Sequence, residues 1–109
     1  MNVVFLPEIR KYFETLSLIL YEKGYFSFED TAHKYVNELY KDIETNLSVR
    51  QSKPAPEYFD RYGKNMEYAV FKKSKHTVWY VFFRVYKENG EEVYQVRYIA
   101  NNHVTAQYL

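Results

Sequence analysis

The sequence predicts an α+β domain: an N-terminal strand, then an antiparallel helical hairpin packed on a four- to five-stranded, mainly antiparallel sheet. Three observations lead there. Apolar residues in the first half recur at helical spacing. After Pro56 the pattern changes to short runs rich in β-branched and aromatic residues. Two of those runs flank Asn89-Gly90, the strongest short-range signal for a tight hairpin.

The elements follow in order. Val3 to Leu6 is a short apolar strand. Pro7 fits the first position of a helix, where its missing N–H costs nothing. Ile9, Phe13, Leu16 and Leu20 trace the buried stripe of that helix, and Gly24 is a natural C-cap. Ser27 with Asp30 three residues on forms a weak capping box for a second helix. Ala32, Val36, Leu39, Ile43 and Leu47 are its apolar stripe. A short connection makes the two helices an antiparallel pair. Residues 48–57, with Ser48, Ser52, Pro54 and Pro56, read as the link from helices to sheet. Then come strands at Tyr58–Tyr62, Met66–Lys72, Thr77–Lys87 and Glu92–Ala100. No helix is expected within residues 77–100.

The whole chain, 1–109, fits one domain with enough apolar material for one core: 47% of its residues are apolar or tyrosine. It has no cysteine, which excludes a disulfide framework and thiolate metal sites and is compatible with a reducing cytoplasm. No apolar run approaches the roughly 20 residues that span a bilayer, and Met1–Leu6 is too short for a secretory signal, so a cytoplasmic protein with no membrane partner is expected. Net charge is +1, but unevenly spread. Residues 49–76 hold seven Lys/Arg against three Asp/Glu, whereas residues 1–48 hold five against eight. A local basic surface that binds phosphate is one reading; ordinary solvated lysines are the other. Thirteen tyrosines and eight phenylalanines are the unusual feature. Tyrosine suits half-buried strands, wet interfaces and base stacking alike.

A two-residue turn at Asn89-Gly90 sets the register of the last hairpin. Tyr86 then faces Val93, Arg84 faces Gln95, Phe82 faces Arg97 and Tyr80 faces Ile99. Val85/Tyr94, Phe83/Val96 and Val81/Tyr98 share the other, more apolar face, which should meet the helices. The first face therefore presents Tyr80, Arg84, Tyr86, Gln95 and Arg97. Two arginines on one face can share a phosphate through forked hydrogen bonds, and tyrosines beside them can stack a base. His103 stands just past the last strand, where a histidine is a candidate proton carrier. The same residues are also ordinary on the solvent side of a half-exposed sheet. His33 and His76 have no partner at metal-ligand spacing, so no metal is assigned. The glycines at 24, 63 and 90 are too scattered for a phosphate loop, and no other cofactor signature is present.

Taken together, the short strand opening into a helical hairpin, the run Tyr80-Val81-Phe82-Phe83-Arg84-Val85, and Val96-Arg97-Tyr98-Ile99 followed by His103 resemble the RelE/ParE toxin superfamily. The resemblance covers nearly the whole chain. It implies the toxin of a type II toxin–antitoxin system, neutralised by a cognate antitoxin protein. One branch of that superfamily cuts mRNA on the ribosome by 2′-hydroxyl attack; the other poisons DNA gyrase by binding. Carried over, the ribonuclease branch implies Arg84 and Arg97 as stabilisers of the phosphate and His103 as proton donor. It also implies Arg61, Lys72, Lys73, Lys75, Tyr80 and Tyr86 as nucleic-acid contacts. The sequence departs from that branch in having Tyr80 where an arginine is common, a charge of only +1, and a tail from Val104 to Leu109. A third class, a toxin-like fold serving only as a nucleic-acid or protein interaction module, fits the same residues.

Overall fold

Pro7 opens the first helix, and the apolar stripe behind it determines which side faces inward. In the computed structural model, which describes residues 2–105 and 108–109 (Val104 and Thr105 by backbone alone), β1 is Asn2–Phe5 and α1 is Pro7–Glu22. Ile9, Phe13, Leu16 and Leu20 are buried, as their spacing predicts, together with Ser17. Gly24 takes φ 82° past the helix end, where Lys23, Gly24 and Tyr25 return hydrogen bonds to the last turn. Then α2 runs Glu29–Asn46 with Ala32, Val36, Leu39 and Ile43 buried.

The expected capping box at Ser27 and Asp30 does not form. Phe28 is the N-cap and no side chain caps the helix. Glu29 and Asp30 instead set negative charge on the first turn, where the exposed N–H groups favour it.

The stretch read as a link contains a strand. Ser52–Pro54 is β2, pairing antiparallel with β3 at Glu67–Lys72. Proline at its end is tolerable because β2 is the outermost strand. Tyr58–Tyr62, expected as a strand, lies instead in a 3-10 helix, Glu57–Tyr62. That geometry turns Phe59 fully inward, where a sheet partner would have been needed for a strand. The long hairpin is β4, Val78–Glu88, and β5, Glu91–Asn101, joined by Asn89 and Gly90 at φ 51° and 79°. Both left-handed residues fit a turn whose twist matches the strands. A four-residue turn, Asn102–Thr105, follows.

The five strands lie in the order β1-β5-β4-β3-β2, with β1 parallel to β5 and the other pairs antiparallel. The register of the hairpin is as expected from the turn to Phe83–Val96. There a β-bulge intervenes: Phe82 pairs with Tyr98, not Arg97, and Val81 with Ile99. Arg97 is the extra residue, and every pairing beyond it shifts by one. Ile99 thereby joins the helix side and Tyr98 the opposite side, reversing the expectation for both.

Two cores result. The larger lies between helices and sheet, with Phe83, Val81 and Trp79 of β4 against the stripes of α1 and α2. Trp79 donates its indole N–H to the Tyr35 hydroxyl at 2.8 Å. The smaller lies on the other face of the sheet, where Phe59 of the 3-10 helix packs on Met66 and Phe82 inside a ring of tyrosines. At the sheet edge, Asp42 of α2 accepts from Asn46 at 2.6 Å and faces Lys73 at 3.4 Å and Arg50 at 3.5 Å. Among the described residues no helix is long and apolar enough to cross a membrane.

Asp42 makes stability depend on pH in a defined direction. Partial burial works to raise its pKa, but the Asn46 hydrogen bond and the charges of Lys73 and Arg50 outweigh it and hold the carboxyl below its ordinary value. A depressed carboxyl adds stability that is present above its unfolded pKa of about 4 and lost as pH falls through the folded value. Asp42→Asn is expected to lower the urea midpoint near neutral pH and to approach the parent below about pH 3. Urea titrations across that range check this; a difference that stays constant with pH would refute the ion-pair role.

Candidate nucleic-acid interface

Strand alternation and the bulge together decide what the outer face of the sheet carries. From β4 it takes Tyr80, Phe82, Arg84 and Tyr86; from β5 it takes Gln95, Arg97 and Tyr98. Phe82 is buried under Phe59, ring on ring at 4.3 Å. Arg84 is exposed, directly opposite Gln95. Tyr80 is half-buried at the margin of the small core, and Tyr86 lies exposed toward the hairpin end.

Arg97 is held from two sides. Its Nε donates to the Tyr62 carbonyl at 2.7 Å and its Nη1 to Gln95 Oε1 at 2.7 Å. The side chain crosses directly over Gly63, where a Cβ would stand 2.5 Å from Nε and 3.0 Å from Cδ. Tyr62 in turn stacks on Tyr98 at 3.8 Å with the rings 5° from parallel. The arginine expected to meet phosphate with its whole fork therefore also fastens the 3-10 helix to the sheet. Arg84 and Arg97 share a face, with Gln95 bridging between strand partner and clamp.

His103 lies elsewhere. Its ring centroid is 6.4 Å from that of Tyr25, and it lines a pocket of about 270 Å³ with Leu20, Phe26, Tyr35 and Trp79. Those are helix-side residues, so His103 stands across the sheet from Arg97, and the expected Arg84–Arg97–His103 cluster is not assembled. The bulge and the turn after Asn101 are responsible: past Arg97 each side chain changes face relative to the simple register.

The expected backbone-gripping residues divide as well. Arg61 sits with its guanidinium 4.2 Å from the Tyr58 ring centre and its Nε donating to the Tyr58 carbonyl at 3.2 Å. Lys72 is exposed at the end of β3, and Lys75 is exposed in the turn that follows. Lys73 does not join them, because it reaches back to Asp42 across the helix side. Among the described residues, no three His, Asp or Glu side chains converge where a metal ion could be held.

Residues that the sequence reading passed over complete the surface. Tyr58 stacks on Tyr108 at 3.7 Å and 5°. Interaction with the Tyr58 phenol pushes the Tyr108 pKa up against the opposing influence of Arg61. Tyr58, Tyr62, Tyr68, Tyr80 and Tyr98 all surround Phe59 and Phe82. The signal for the 3-10 segment was present: Pro56 followed by acidic Glu57, then Phe59 and Tyr62 three residues apart, one turn of such a helix.

Comparison with known proteins finds no matching family model, no matching curated protein and no matching solved structure.

The Arg97–Gly63 crossing yields a direct expectation. Gly63→Ala would set a methyl group against a pinned guanidinium at a backbone φ of 146° that side chains rarely adopt. A loss of roughly 1–3 kcal/mol is expected, with weakened near-ultraviolet dichroism as the stacked tyrosines loosen. Chemical denaturation and dichroism measure both; parent-like values would mean that the crossing is not tight in solution.

Proposed function

We propose that this chain is the toxin of a type II toxin–antitoxin pair with a RelE/ParE-like fold, and that it acts on RNA held across the outer face of its sheet. The observation that carries this reading is the joint presence there of Arg84, the Arg97–Gln95 pair and a collar of tyrosines. Cationic side chains meet the phosphates of a single strand, and aromatic rings take its bases without regard to sequence. The order strand, helical hairpin, compact sheet adds support, with β1 and β5 brought side by side across the hairpin. The cognate partner is an antitoxin protein covering this face or the helical hairpin, and the compartment is the cytoplasm.

If the chain cuts mRNA, the 2′-hydroxyl passes its proton to water and its oxygen attacks the adjacent phosphorus as the 5′-oxygen leaves, and Arg84 and Arg97 offset the charge that builds on the phosphoryl oxygens. The proton for the leaving oxygen comes from a group on this face, where tyrosine hydroxyls stand, and not from His103. A second reading, a gyrase poison that works by binding, has its own support. Tyr80 stands in place of an arginine, and two nitrogens of Arg97 are already engaged, one on the Tyr62 carbonyl of the 3-10 helix and one on Gln95.

Expression of the chain alone is expected to arrest growth, and co-expression with the adjacent open reading frame to relieve arrest and yield a complex that co-purifies. Harmless expression with no such complex would end the toxin reading. Arg84→Ala is expected to lower mRNA cleavage by roughly 10²–10³-fold, whereas His103→Ala leaves it unchanged. Growth arrest by the parent without any mRNA cleavage would eliminate the ribonuclease and leave the binding mechanism.

A further inference from the structure

Tyr58 is covered on both sides of its ring. The Arg61 guanidinium lies 4.2 Å from its centre and the Tyr108 ring 3.7 Å from it. Two planar groups that close cannot share one side of a phenol, so the three form a sandwich with Tyr58 in the middle. One layer, Arg61, belongs to the same 3-10 helix and is tied to it by the Nε bond to the Tyr58 carbonyl. The other layer, Tyr108, is 40% exposed and so open to solvent on part of its surface.

Tyr58 itself is fixed. It packs edge to face on the buried Phe59, with ring centres 5.0 Å apart, at the rim of the small core. The helix bearing it is pinned by the Arg97 bond to Tyr62. Removing Tyr108 would therefore expose a flat, rigid, cation-backed aromatic surface beside the arginine face. Such a surface accepts a planar π system, and a parallel stack at 3.7 Å is the geometry an unpaired base adopts on a tyrosine.

We propose that the Tyr58 ring is a stacking platform for one base of single-stranded RNA, and that Tyr108 occupies it when RNA is absent. This rests on the reading of the outer face as an RNA surface and adds to it a named base site and a built-in competitor. Arg61 holds the platform from behind and offers its remaining N–H groups to the flanking phosphate. RNA must displace the chain's own tyrosine, so the measured affinity is reduced by the strength of one ring stack.

The test is fluorescence anisotropy of a labelled, short single-stranded RNA with the full-length protein and its variants. Tyr108→Ala is expected to tighten binding by about two- to ten-fold, the scale of one aromatic pair. Tyr58→Leu, which keeps an apolar side chain at the rim but removes the ring, is expected to weaken binding by roughly ten-fold or more in the Tyr108→Ala background. Tyr58→Phe is expected to keep it. A duplex of the same sequence should compete poorly, because its bases are already stacked. Circular dichroism confirms that each variant is folded. The proposal is overturned if Tyr108→Ala leaves affinity unchanged or weakens it, if Tyr58→Leu has no effect in that background, or if the duplex competes as well as the single strand. RNA binding that ignores Tyr58, in a protein that still arrests growth, would remove the platform and leave the toxin reading standing. Binding that follows Tyr58 and Tyr108 in a protein that arrests nothing would do the reverse.

Discussion

Arg97 crosses Gly63 because Gly63 has no side chain, and from that crossing its Nε reaches the Tyr62 carbonyl at 2.7 Å. The outer half of the molecule depends on this contact. It ties the end of the 3-10 helix Glu57–Tyr62 to the sheet, as the bond from the Ala55 N–H to the Met66 carbonyl at 2.9 Å ties the chain just before its start. With it, Tyr62 lies flat on Tyr98, Phe59 seats on Phe82, and Tyr58 is presented at the rim. The β-bulge is the other half of the same arrangement: an extra residue in β5 frees Arg97 from facing a single partner and leaves Tyr98 beside it on the outer side. A partly buried cation with two hydrogen bonds is costly to orphan, so the bulge, the glycine and the arginine are not independent features.

That dependence changes how the two outer-face arginines should be compared. Arg84 is exposed on a strand whose position is set by the large core, so its loss removes a charge and little else. Arg97 carries structure and charge together. A loss of activity at Arg97 is thus uninformative about chemistry unless the small core is shown to survive, whereas the same loss at Arg84 speaks directly to ligand contact.

The parts of the fold legible in the sequence were those with a long period or a unique turn. The two helical stripes each repeat four or five times, and Asn89-Gly90 admits few alternatives to a tight hairpin. The parts that were not legible are short or depend on distant residues. Ser52–Pro54 is three residues long and exists as a strand only because β3 offers it an edge. Tyr58–Tyr62 has the aromatic content of a strand, and its 3-10 form is settled by Phe59 finding Phe82 across the chain. The bulge leaves no local mark at Val96-Arg97-Tyr98, yet it moves Ile99 and Tyr98 to opposite faces from those expected. The misplacement of His103 follows from the same source, since one extra residue in a strand inverts everything after it. Lys73 looked like one of a basic run, and only the approach of α2 gives it Asp42 as a partner.

The parallel pairing of β1 with β5 joins the second to fifth residues of the sequence to residues 93–96. A contact of such sequence separation closes late, after the local hairpins have formed. During synthesis the first strand emerges long before its neighbour exists, and Val3 and Phe5 must wait, uncovered on one edge, until β5 has left the ribosome. The sheet can be completed only once residues 93–96 have been made. A product broken off anywhere before β5 would lose that strand and leave β1 without its neighbour, so such copies should be unstable and readily degraded.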